Sequence, residues 1–246
     1  MKVAMIGHKD FPSRSGGVEV MVGGLAASLV RRGYEVTVYN RGLQKGHNVY
    51  TTEGVQARRI FTFQKASLNA MVYSFLATFD ALTRDCDVIH YHAIGPSVPL
   101  VIAKLFGKHT VCTVHGLNWK VDKWGGFASA YLRLGERVAA KYADDLVVLS
   151  ETEWNYFLQK YGRASILIPN AIRFYEKRAC SLIREKYGLA RGEYILYVGR
   201  KRARWIWWRA TARPRQGKSL YWSARWTTAN IAERYSSRRR MTPISS

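Results

Sequence analysis

Through about residue 200 the chain alternates short apolar runs with longer amphipathic ones, the rhythm of a parallel sheet flanked by helices. The pattern predicts strands at residues 3–6, 35–39, 55–61, 87–92, 110–114, 145–149, 165–168 and 194–198. It predicts helices at 18–32, 68–83, 96–106, 127–142, 152–161 and 182–187. The first helix carries Val18, Met21, Val22, Leu25 and Leu29 on one stripe, and Gly33 stops it where a left-handed residue costs least. In the helix at 127–142, Arg133, Glu136, Arg137 and Lys141 are expected to face solvent. The fold class that follows is α/β, a Rossmann-like parallel sheet with helices on both faces.

Such sheets bind ligands beyond the C-terminal ends of their strands, where the strand order reverses. The residues just past each predicted strand are Gly7-His8, His92, His115-Gly116, Ser150-Glu151, Asn170 and Arg200. Glycine and polar side chains recur at that rim, as one cleft fed by many strand ends requires. Gly16 and Gly17 close the loop GHKDFPSRSGGVE at a helix N-terminus, whose free N–H groups favour an anion. The loop matches neither GxGxxG nor a Walker A motif, so a plain strand–helix turn is an equal reading.

His115 directly follows a strand, where a neutral imidazole can bond a sugar hydroxyl or orient a reacting oxygen, or simply cap the sheet. His90 and His92 alternate in VIHYH and share one face, and polar packing suits them better than a metal. Asn170 after Pro169 fits an Asx-turn or a substrate hydrogen bond. Arg200 fits a phosphate clamp or a solvated charge.

Charge separates the chain into two parts. The net charge is +22, and residues 201–246 supply half of it, with 12 Lys/Arg against the single acid Glu233. That segment also holds Trp205, Trp207, Trp208, Trp222 and Trp226, five of the eight tryptophans. Cys86, Cys112 and Cys180 show no CxxC spacing and read as free thiols of a cytoplasmic protein. No signal peptide and no apolar run of about 18 residues is visible, which leaves peripheral contact with anionic lipid as the membrane interaction open to the chain.

Taken in order, GHKDFPSRSGGVEVMVGGLAASLVRRGYEVTVYNR, DVIHYHAIGP, LFGKHTVCTVHGLNWKVDKWGGFASAYLRLGE, KYADDLVVLSE, ILIPNAI and YILYVGR resemble the N-terminal half of family 4 glycosyltransferases of the GT-B type. The resemblance covers roughly residues 1–200. It implies an acceptor-side Rossmann-like domain at 1–180 and the start of a donor domain at 181–200. It also implies transfer of a sugar from a nucleotide-sugar to a saccharide or lipid-linked acceptor, with retention, without a metal and with no cofactor beyond the donor co-substrate. The GGVE and WGGFASAYL segments are similar to bacterial members that build capsule, O-antigen or exopolysaccharide. By this match Gly16, Gly17 and Glu19 lie in the loop near the donor phosphates, and His115 is the catalytic-site histidine that contacts the transferred sugar. Asn170 lies in a PNG-like turn, with Ala171 in place of the glycine, and Arg200 holds the diphosphate.

After Arg200 the resemblance stops. The family continues with Glu-Lys-Gly and a Glu-x7-Glu element, and a segment with one acid cannot supply the pair. Codons for residues 219–230, shifted by two bases, can spell PVLVGAVDDGE, and those for 201–208 can spell KGSVDMV, both like the family's donor domain. The basic tail therefore reads as out-of-frame sequence, poorly ordered from about residue 195, on a chain whose activity alone is impaired. The alternative is a binding module for nucleic acid or anionic membrane through residues 201–246, since arginine beside aromatics binds single strands. Nucleic acid is the weaker partner, because tails that act by charge are usually poor in aromatics.

Overall fold

The computed structural model describes residues 1–42, 49–63, 66–117 and 126–170, together with 181, 184–185, 188, 208–210 and 220–222. Two compact units divide at Arg173 and Phe174. In the first, the order is β1 (Lys2–Ile6), α1 (Gly17–Arg31), β2 (Glu35–Gly42), β3 (Val49–Thr52), β4 (Val55–Phe61), α2 (Ala66–Thr83) and β5 (Val88–His92). It continues with α3 (Leu100–Leu105), β6 (His109–Val114), α4 (Gly126–Tyr142), β7 (Asp145–Val148), α5 (Glu151–Tyr161) and β8 (Ile166–Leu167). These strands form one sheet in the order β3-β4-β2-β1-β5-β6-β7-β8, parallel throughout except where β3 pairs antiparallel with β4.

Successive residues of β1 serve opposite faces, as a strand buried on both sides must. Val3 and Met5 pack with Val22 and Ala26 of α1 and with Val36, Val38, Val55 and Ala57. Ala4 and Ile6 face the larger core of Tyr73 and Ala77 of α2, Ile89, Tyr91, Cys112, Leu146 and Phe157. Arg58 and Asp80 tie β4 to α2 through two hydrogen bonds, 2.9 and 3.2 Å, in a nearly buried pair that Tyr39 joins at 3.0 Å. Burial opposes the charge on Asp80, yet the hydrogen bonds from Arg84, Arg58 and Tyr39 hold its pKa below the ordinary carboxylate value.

Three features depart from expectation. Residues 49–52 form a strand in a segment where the sequence pattern predicts none. Glu53 and Gly54 both take positive φ, 51° and 75°, the two-residue turn that suits a hairpin's twist. α3 begins only after Pro99, because proline within a helix lacks the N–H and crowds the preceding turn; Pro99 instead caps it. Glu136 does not face solvent: it is wholly buried and accepts hydrogen bonds from Tyr156, Lys160 and Tyr161 at 2.7, 2.8 and 2.6 Å. A carboxylate held by donors on a second helix belongs inside, whatever its polarity.

The second unit contains β9 (Trp208–Ala210) and β10 (Leu220–Trp222), paired antiparallel with Trp222 opposite Trp208. Arg200 and the strand expected at 194–198 lie outside the described residues.

Candidate functional site

The strand order reverses at β1. The chain builds outward through β2 and β4, then returns to lay β5 on the other side of β1. The crevice of a doubly wound sheet therefore opens between the ends of β1 and β5. Gly7 ends β1 with φ +129°, and a Cβ there would overlap the carbonyl oxygen of His92 at the end of β5. Tyr73 of α2 secures the junction: its hydroxyl accepts from Gly7 N at 3.1 Å and donates to the Tyr39 carbonyl. Ala93, just past His92, sits at φ +83°, a strained conformation of the kind that clusters at functional sites.

Four histidines gather here. His8 is buried, and its Nε2 meets Asn40 Oδ1 at 2.9 Å. The Asn40 amide nitrogen donates to the Phe11 carbonyl at 2.9 Å and to Tyr50 Oη at 2.8 Å. His90 and His92 stack with ring centroids 4.1 Å apart, and His90 Nε2 contacts Thr113 Oγ1 at 2.8 Å. His115, half-buried after β6, places Nε2 3.4 Å from His92 Nδ1. Burial lowers the pKa of His8, His90 and His115 to about 4, and that of His92 well below its ordinary value. All four are neutral at physiological pH. Among the described residues, no group of three or more His, Cys, Asp or Glu is placed to hold a metal ion.

Glu19 brings charge to the cluster. It lies buried in the first turn of α1 and acts electrostatically on His8, Arg41 and His115. Arg41 at the end of β2 donates from Nη2 to the Gly7 carbonyl at 3.0 Å and from Nη1 to Asn69 Oδ1 at 3.3 Å. Its guanidinium lies 5.1 Å from the centre of the Tyr73 ring. Gly16 caps α1 in an extended conformation with no side-chain hydrogen bond to the helix amides. The α1 N-terminus is thus open to an anion. A Cβ on Gly17 would meet nothing within 4 Å, and its φ lies outside the left-handed range that favours glycine. The fold itself therefore makes no steric demand for glycine at that point.

Of the sequence-derived candidates, Glu19 lies close enough to act electrostatically on His115, and Gly16 and Gly17 open the helix that carries Glu19. Asn170 does not join them. It is exposed beyond β8, the edge strand, two strands away from β6. Arg41, Asn40 and Tyr73 were not singled out from sequence. Asn40 and Arg41 directly follow Tyr39, the expected end of β2, but that strand end was not among the rim positions taken from sequence, and β2 itself runs on to Gly42. A groove of about 160 Å³ lies at the opposite edge of the sheet, lined by Lys2, Glu35, Thr37, Gln56 and Arg84. It borders strand N-termini, where this fold class does not place its chemistry.

A family model described as Glycosyltransferase Family 4 matches residues 15–174. No curated protein matches the chain. Sucrose-phosphate synthase from Thermosynechococcus elongatus superposes with a TM-score of 0.58 at 17% identity, over 78% of this chain and 54% of that one. WaaG, a glycosyltransferase involved in lipopolysaccharide biosynthesis, superposes with a TM-score of 0.56 at 16% identity, over 78% of this chain and 53% of that one. The chain thus spans about half the length of these structures, and the likeness extends to their α/β fold. The family match covers more than half of the chain, which belongs to Glycosyltransferase Family 4.

Proposed function

We propose that this family 4 chain carries the acceptor-side half of an enzyme that transfers a sugar, with retention and without a metal, from a nucleotide-sugar to a saccharide or lipid-linked acceptor. The observation that carries the reading is the meeting of Glu19, the open α1 N-terminus and His115 at the sheet's switch point. Open helix amides behind Gly16 and Gly17 suit the donor phosphates. A neutral imidazole at His115 suits a sugar hydroxyl without adding charge. Asn170 and Arg200 are assigned to the donor side of the same cleft, on the family resemblance. Assembly of bacterial surface polysaccharide is the setting we assign, and WaaG acts in lipopolysaccharide biosynthesis. The strongly basic chain would work at the inner face of an anionic membrane.

Within these 246 residues the donor-holding elements of the family are not recognisable past Arg200. Catalysis needs both substrates held in one closed cleft, so the chain alone is expected to turn over poorly. The test is a paired assay with labelled UDP-, GDP- and dTDP-sugars and lipid-linked or saccharide acceptors. One arm uses the 246-residue chain, the other a chain read in the alternative frame past codon 200. Transfer by the restored chain alone supports both parts of the reading. Robust turnover by the 246-residue chain overturns the need for those donor-holding elements, and no transfer by either overturns the function.

A further inference from the structure

β3 adds an antiparallel strand to an otherwise parallel sheet, and the hairpin it makes with β4 reaches both ends of α1. At the hairpin turn, Gly54 lies against the last turn of the helix: a Cβ on Gly54 would stand 2.7 Å from Val30 Cγ1. Toward the other end of β3, Tyr50 reaches the loop that leads into α1. Its hydroxyl donates to the Phe11 carbonyl oxygen and accepts from Asn40 Nδ2 at 2.8 Å. That nitrogen gives its second proton to the Phe11 carbonyl at 2.9 Å, so both amide protons of Asn40 are used. Asn40 Oδ1 is thereby turned to His8 Nε2, 2.9 Å away, and accepts from it. Asn40 of β2 and Tyr50 of β3 thus grip the loop at two points, His8 and Phe11. Arg59 of β4 sets its guanidinium carbon 5.9 Å from the centre of the half-buried Tyr50 ring. Phe11 carries the grip on to the helix. Its ring is buried in the core that holds Val22 and Ala26 of α1. A Cβ on Gly23 would stand 3.4 Å from Phe11 Cε2, so the ring lies on the helix where a side chain is missing. Residues 12–16 alone separate Phe11 from Gly17, where α1 begins.

We propose that Tyr50 is a positioning residue: its hydroxyl, acting through the Phe11 carbonyl, holds the start of α1 in place, while Gly54 seats the other end. The hairpin then brackets the helix. Amides that must meet a ligand in one geometry need such support from residues that do not touch the ligand. If the glycosyltransferase reading holds, on which the consequence for catalysis rests, the bracket preorganises the amides behind Gly16 and Gly17 for the donor phosphates.

The test is amide hydrogen exchange on the 246-residue chain, comparing Tyr50→Phe with Val49→Ala, an exposed neighbour on the same strand. Val20 N donates to the Gly16 carbonyl and reports the start of α1, and Tyr34 N donates to the Leu29 carbonyl and reports its end. In Tyr50→Phe the Val20 amide is expected to exchange up to about tenfold faster, the worth of one lost hydrogen bond, with Tyr34 unchanged. In Val49→Ala neither should move. Equal acceleration at both ends would mean a general loss of stability and overturns the proposal, as does an unchanged Val20. Should Tyr50→Phe not fold, the wild-type chain decides. A Tyr50 hydroxyl proton that exchanges as fast as an exposed tyrosine's overturns the bracket, and a slowly exchanging one supports it. These measurements involve no substrate, so a failed bracket leaves the proposed function standing, and a failed transfer assay leaves the bracket standing. In the restored-length chain Tyr50→Phe should raise the donor KM by up to about tenfold and leave the acceptor KM unchanged. An unchanged donor KM overturns the role at the donor site.

Discussion

The carbonyl oxygen of His92 occupies the space in which a Cβ on Gly7 would stand. Gly7 also has φ +129°, so two independent constraints meet at one residue between β1 and β5. Gly7→Ala must displace the His92 backbone as well as adopt a strained φ, itself about 1–3 kcal/mol. We expect a loss of about 3 kcal/mol or more in urea unfolding. A cost under about 1 kcal/mol would show that the two strand ends are not locked together.

Gly17 makes the opposite prediction. Its surroundings are open and it starts a helix, where alanine is favoured over glycine by up to about 1 kcal/mol. Gly17→Ala should leave the fold as stable or slightly more so. In the restored-length chain it should still weaken donor binding, because the methyl group would stand where the phosphate approaches the helix amides. Unchanged KM and kcat would remove Gly17 from the site.

The neutral histidines predict early acid unfolding. His8, His90 and His115 have folded pKa values near 4, against 6.5 in an unfolded chain. Between those values the unfolded state takes up protons that the folded state refuses, so stability falls as pH drops from about 6.5 to about 4. At about 1.4 kcal/mol per unit per group, the combined loss is several kcal/mol, comparable with a typical domain's total. Unfolding followed by circular dichroism should show the urea midpoint declining through this window. His8→Gln keeps a donor for Asn40 and has no titration, so it should flatten the slope by close to one proton. A midpoint constant down to about pH 4.5 would contradict the burial of these rings.

The alternation of apolar runs placed the strands and helices of the first unit apart from β3, because period and length depend on local sequence alone. His115, Gly16, Gly17 and Glu19 were legible for a related reason: each lies next to a strand or helix end that the pattern locates. The histidine cluster was not legible. It needs β1, β5 and β6 to be neighbours, and that order is set by which helix covers which face. Asn170 likewise follows a strand end, of the edge strand β8 two strands from β6, so its place relative to His115 also depends on the strand order. Glu136 was misread because its partners lie 20, 24 and 25 residues further along the chain, on another helix.

That misread glutamate supplies a stability test outside the cleft. Glu136 on α4 gathers donors from Tyr156, Lys160 and Tyr161 of α5 while fully buried, and Lys160 retains contact with solvent. Burial would lower the Lys160 pKa, but the hydrogen bonds to Glu136 and the two tyrosines outweigh it, and the pKa is raised. A raised lysine contributes its stability below the unfolded value of about 10.4, so the cluster is at full strength at neutral pH. Glu136→Ala removes the shared acceptor and leaves a void, and should cost about 3 kcal/mol. Glu136→Gln keeps one acceptor oxygen and should cost less. Lys160→Met retains the stem that packs along the helix, so a double-mutant cycle with Glu136→Gln isolates the charge. A coupling above about 0.5 kcal/mol is expected, beyond what independent sites show. Additive losses would instead mean that the tyrosines alone hold the carboxylate.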